Sequence, residues 1–167
     1  MTEPTAQPTP APSPTGAEGA GVPLNQAVRQ VITVHLSNIP LLNGLAPHVL
    51  QQVGAAMQFR TVEKGAYVMH KGSPGDHLVF LLSGRVQVLD VTEDGREIVL
   101  SSLSPGDYFG EMAVIDGQPR SASVQAADTS LVAFLPRAHA QQLLYANPLV
   151  AERVMQRLAG TVRAAAA

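Results

Sequence analysis

The chain has 167 residues, 46% of them apolar, with 11 Lys plus Arg against 13 Asp plus Glu. That length supports one globular domain with a sizeable core, and the near balance of charge offers no basic stripe for direct nucleic-acid binding. Cys is absent, which removes disulfides, thiolate nucleophiles and cysteine-ligated zinc or iron–sulfur clusters.

Residues 1–22 are rich in Pro, Thr, Ala and Gly. Such a composition buries too little apolar surface to offset ordering and reads as a disordered tail. It lacks the positive start and apolar stretch of a signal peptide. No apolar run along the chain is long enough to span a membrane, so a cytoplasmic location is expected. The domain proper is read as 23–163, opening with a helical lead-in over 24–56. There Val28, Val31, Ile32 and His35 or Leu36 recur at helical spacing, Ser37-Asn38-Ile39-Pro40 breaks the run, and Pro47 opens a second helix carrying Val49, Leu50 and Val53.

From 57 to 135 the pattern changes to short apolar runs closed by turns. Gly65, Ser73-Pro74-Gly75-Asp76, Glu93-Asp94-Gly95-Arg96 and Ser104-Pro105-Gly106-Asp107 are the turn signals. Five or more short strands at this spacing predict a mainly β roll or barrel. Phe109 to Ile115 reads as a short helical turn that interrupts the strands. Strand character resumes at 120–124 and again from Ser130 to Leu135. Helices return over 137–162. On the last of them, 149–162, Val150, Val154, Leu158 and Val162 form an apolar stripe. An alanine tail, 164–167, carries no specificity.

The segment 109–124, FGEMAVIDGQPRSASV, carries the chemistry. Gly110 lets an oxygen approach the backbone, and the helix start at Gly110–Met112 offers amide donors. Nine residues after Glu111 stands Arg120, whose rigid fork grips two phosphate oxygens. Ser121 and the Ala122 amide add short donors. Glu111 would repel a phosphate and suits a hydroxyl on the same ligand, such as a ribose 2′-OH. The histidines form no ligand cluster, and no Ser lies in a G-x-S-x-G elbow, so no catalytic or metal site is read and the chain is not taken for an enzyme.

This segment resembles the phosphate-binding cassette of the cyclic nucleotide-binding domain family. Lys71-Gly72-Ser73-Pro74-Gly75-Asp76, the run Leu78–Leu82 with Gly84, and Pro105-Gly106-Asp107 are family-like as well. The resemblance covers about Ile39 to Leu158 and is strongest to the sensor half of bacterial transcription regulators of the catabolite activator (Crp/Fnr) type. It implies a cyclic nucleotide-binding β-roll, a double-stranded jelly roll flanked by N-terminal and C-terminal helices. It further implies Gly110, Glu111, Met112, Arg120, Ser121 and Ala122 as ligand contacts, with Val99 and Leu100 walling the base. The expected ligand is cAMP in preference to cGMP, with no other cofactor. The expected partner is a second copy joined through helix 149–162. A DNA-binding unit either follows elsewhere or is not needed, if the domain acts as a stand-alone sensor. The alternatives are a β-roll interaction module that holds no ligand, or a regulator sensing a different small molecule.

Overall fold

The computed structural model describes residues 26–166, with α1 at Gln26–Ser37 and α2 at Pro47–Ala56 leading into the β-roll. The proposed tail at 1–22, together with Leu24 and Ala167, lies outside the described residues. Eight strands follow in chain order: β1 Gln58–Val62, β2 Tyr67–Met69, β3 His77–Ser83, β4 Val86–Val91, β5 Glu97–Leu103, β6 Tyr108–Phe109, β7 Ser123–Ala126 and β8 Ser130–Pro136. The short helix α3, Glu111–Asp116, interrupts them, and α4 (Arg137–Ala146) and α5 (Pro148–Ala166) close the chain. The strands form two antiparallel four-stranded sheets, ordered β1-β8-β3-β6 and β2-β7-β4-β5.

The unbroken apolar runs in β3 and β8 have a direct cause. Successive strand residues point to opposite faces, and both faces of this sheet are covered. Val79 and Leu81 of β3, with Val132 and Phe134 of β8, point into the space between the sheets. Leu78 and Phe80, with Ala133 and Leu135, point the other way, onto Leu36, Leu50, Leu143 and Val150 of the four long helices. The fold therefore has two cores sharing one sheet. The second sheet is wetter, which matches the mixed polar and apolar text of β4 and β5.

Two elements differ from the expectation. Phe109 is not in the helical turn; with Tyr108 it forms β6, pairing with Val79 and Phe80. Two residues are too few to show a period in sequence. At the other end α5 runs on through the alanines to Ala166, because alanine has the highest helix propensity and extends a helix already begun.

Turns tie the roll together. The amide of Gly106 donates to the Leu81 carbonyl at 2.8 Å, and the Leu81 amide to the Asp107 carbonyl at 2.9 Å. The Asp107 carboxylate accepts the Ser104 amide at 2.9 Å, so Asp107 closes its own turn.

Candidate functional site

Arg120 is the centre of the site. Its backbone is held by the 70–76 turn: the Gly72 amide donates to the Arg120 carbonyl and the Arg120 amide to the Ser73 carbonyl, both at 2.8 Å. Its side chain is 3% exposed. Nη1 donates to the Gly110 carbonyl at 3.0 Å and Nη2 to the His77 carbonyl at 2.7 Å. Two donors of a five-donor fork are thus anchored on backbone oxygens, which fixes the plane of the guanidinium at the cavity wall. A buried charge is tolerated only with such bonds.

Gly110 makes this possible. It precedes α3 with φ 83°, in the left-handed region, and a Cβ there would stand 2.4 Å from Arg120 Nη1. Its missing side chain makes room for the arginine, a reason different from the backbone approach of a ligand read in the sequence. Gly75 plays a second packing role: a Cβ on it would lie 2.0 Å from the Cβ of Ala113, so the turn before β3 sits directly on α3.

Beside Arg120 opens a cavity of about 210 Å³. Gly110, Glu111, Met112, Arg120, Ser121 and Ala122 all line it. Segment 109–124 folds so that the carboxylate of Glu111 and the guanidinium of Arg120 reach one space from two elements. Val99 and Leu100 do not line it. They are 54% and 57% exposed, and the wall on β5 is supplied by Ser101 and Leu103 instead. The register explains the shift from what the resemblance implied: Val88 faces Ser101 but Leu89 faces Val99, so a bulge at Leu100 turns Val99 to the opposite face.

Sequence reasoning also missed Met69, Val88 and Arg157. Arg157 had a signal. Val150, Val154, Arg157 and Thr161 are spaced four, three and four apart, one face of a helix. Val150 and Val154 are buried; one turn on, the same face carries Arg157 and Thr161 into the cavity lining. Gln156 lies off this face and is exposed. Leu158 packs against the helical core, whereas Val162 is 67% exposed.

Two of the histidines make ring contacts. His70 stacks on Tyr67 with ring centroids 4.7 Å apart, and His77 meets Phe134 edge-on at 5.7 Å. Among the described residues no group of three or more His, Cys, Asp or Glu is placed to hold a metal, and no helix is long and apolar enough to cross a membrane.

The fold is thus a two-sheet roll in which the buried Arg120 and Glu111 line one cavity. Residues 59–147, more than half the chain, match the cyclic nucleotide-binding domain family. The chain belongs to that family and binds a cyclic nucleotide as a signal-sensing, non-enzymatic domain. It is 41% identical to a cyclic nucleotide-gated potassium channel of Mesorhizobium japonicum over 68% of this chain and 30% of the channel. It is 33% identical to the cyclic AMP receptor protein of Thermus thermophilus over 75% of this chain and 58% of the receptor. Among solved structures, the regulatory domain of Toxoplasma gondii PKA with cAMP superposes with a TM-score of 0.71 at 25% identity, covering 79% of this chain and 50% of that one. The family thus relates this chain to transcription regulators, channels and kinase regulatory subunits alike, and the chain spans about a third to three fifths of these relatives.

Proposed function

We propose that the cavity beside Arg120 is the nucleotide site and that its preferred ligand is cAMP. Arg120 and Ser121, with the Ala122 amide, take the cyclic phosphate. Glu111 accepts the ribose 2′-hydroxyl. Met112, Val88 and Leu103 give apolar contact, and Arg157 and Thr161 of α5 close the side towards the last helix. The observation that carries this reading is the buried Arg120 guanidinium, held in plane by two carbonyls next to a carboxylate in the same cavity. The preference for cAMP is supported by the relatives: one is a cyclic AMP receptor, and another was crystallised with cAMP.

Within the family, the reading is a sensor of the catabolite activator type, cytoplasmic, paired through α5 and coupled to a DNA-binding unit or acting alone. Ligand binding shifts the population of α5 positions through its differential affinity for them. Titration calorimetry with cAMP and cGMP tests the assignment. Saturable 1:1 binding, tighter for cAMP, is expected at about micromolar concentration or below, a gross free energy of about −8 kcal/mol. Absence of heat with both nucleotides overturns the site, and tighter cGMP binding overturns the preference.

A further inference from the structure

A second cavity, of about 480 Å³, shares Leu103 and Arg157 with the first and is lined by α5, the 104–107 turn and the Pro40-Leu41 segment. Its size falls within the range of small-molecule sites. Leu41, Leu103 and the ring of Tyr108 give it an apolar body. Its charged groups are Arg153, Arg157 and Asp107, a formal balance of one positive charge.

The polar groups here are donors in want of acceptors. Tyr108 is 6% exposed, and its buried hydroxyl meets Arg157, which can only donate, so its own O–H finds no acceptor among the described residues. A buried O–H left without an acceptor forfeits its hydrogen bond, so a phenol in this state marks a place where an acceptor is missing. Burial pushes the Tyr108 phenol above its usual range, the nearby Arg157 charge acting against it; the group stays a neutral O–H donor. Arg157 lies with Cζ 4.0 Å above the Tyr108 ring centroid, stacked as a cation over the ring face, and it makes no ion pair among the described residues. Arg153, four residues earlier on the same helix face, spends Nη1 on the Leu41 and Asn43 carbonyls at 3.1 and 2.6 Å and has donors to spare on its fork. The Asp107 carboxylate is engaged with the Ser104 amide.

From this arrangement we infer that the second cavity is a binding site for a small organic carboxylate with an apolar body, its carboxylate received by Arg157, Arg153 and the Tyr108 hydroxyl. A neutral isostere lacks the charge that matches two guanidinium groups. Phosphate lacks the apolar body that matches Leu41 and Leu103. Because Arg157 lines both cavities, an occupant that holds it over Tyr108 withdraws it from the nucleotide. Carboxylate and nucleotide then weaken each other by the same factor, as linkage requires. The coupling rests on the nucleotide site proposed above; the carboxylate site does not.

The test is a ¹H–¹⁵N correlation titration of the full chain with benzoate, with benzamide and inorganic phosphate as controls. Benzoate is expected to give saturable shifts centred on Leu41, Gly106, Tyr108 and Arg157, with neither control doing so. Tyr108→Phe keeps the ring and removes the acceptor's partner; it should weaken benzoate about tenfold. Arg157→Gln should weaken it at least as much. Equal binding of benzamide, shifts centred on Arg120 and Ser121, or an unchanged affinity in correctly folded Tyr108→Phe would each overturn the site. A parallel cAMP titration separates the two ideas: benzoate shifts without cAMP binding sustain this site and sink the nucleotide assignment, whereas cAMP binding without benzoate shifts does the reverse. With both bound, saturating benzoate should raise the apparent cAMP dissociation constant, and no change would remove the coupling.

Discussion

Arg120 serves the fold and the ligand with one side chain, and its substitution should show both. In Arg120→Ala the Gly110 and His77 carbonyls lose their donors, at a cost of about 1–3 kcal/mol of stability. The phosphate loses a charge-assisted contact, which should lower affinity about 10- to 150-fold. Calorimetry beside denaturant unfolding separates the two; a loss of affinity with no loss of stability would mean that the carbonyl anchors are idle. Glu111 is half-exposed and touches the site from the start of α3, so Glu111→Ala should cost binding alone. It should weaken cAMP but leave 2′-deoxy-cAMP nearly unchanged, and equal losses for both would refute the hydroxyl assignment. The spacing of Gly110, Glu111 and Arg120 was legible in the sequence because phosphate chemistry needs those residue types close together. The reason for Gly110 was not, since only the folded chain brings the Arg120 guanidinium against it.

At the scale of elements, α3 has six residues, too few to hold a helix by its own hydrogen bonds. It is held from outside. Gln141 of α4 donates to the Val114 carbonyl at 3.2 Å, and Gly75 packs on Ala113 from the opposite turn. A Gly75→Ala substitution puts a methyl 2.0 Å from the Ala113 Cβ and must displace α3 or the turn. Overpacking of this kind costs about 1–3 kcal/mol, and nucleotide affinity should fall with it because Glu111 moves with α3. Gly160→Ala is the control. A Cβ there meets nothing, and in a helix interior the change should stabilise by about 0.5–1 kcal/mol. Equal unfolding midpoints and affinities for Gly75→Ala and the parent chain would show that the contact relaxes without effect. The strands β3 and β8 were readable as continuous apolar runs because both of their faces are buried. The β4–β5 ladder was readable as strands but not in phase, since a single extra residue at Leu100 reverses which side chains face the cavity.

For the whole molecule, the question is what covers α5. Val150 and Val154 are core, and Leu158 rests on the same core, so the stripe read as a pairing face is mostly spent within the chain. Met155 and Val162, 62% and 67% exposed, remain on the outer side. If α5 pairs two copies, sedimentation at about tens of micromolar, a range typical of modest interfaces, should show a dimer. Met155→Glu with Val162→Glu should then give a monomer of unchanged fold, and a parent chain monomeric at every concentration, with and without cAMP, would overturn the pairing. The sequence by itself determined the class of fold, the order of nearly all the elements and the grouping of Gly110, Glu111, Arg120 and Ser121, because period, turn chemistry and motif spacing are local properties of the text. Tertiary structure alone decided that Ser101 and Leu103, not Val99 and Leu100, wall the cavity, that Arg157 reaches it from α5, and that the Tyr108 hydroxyl is buried beside that arginine with no acceptor among the described residues. These follow from a bulge, a helix docking angle and contacts between residues some fifty positions apart, and such long-range geometry is set by packing the whole chain at once.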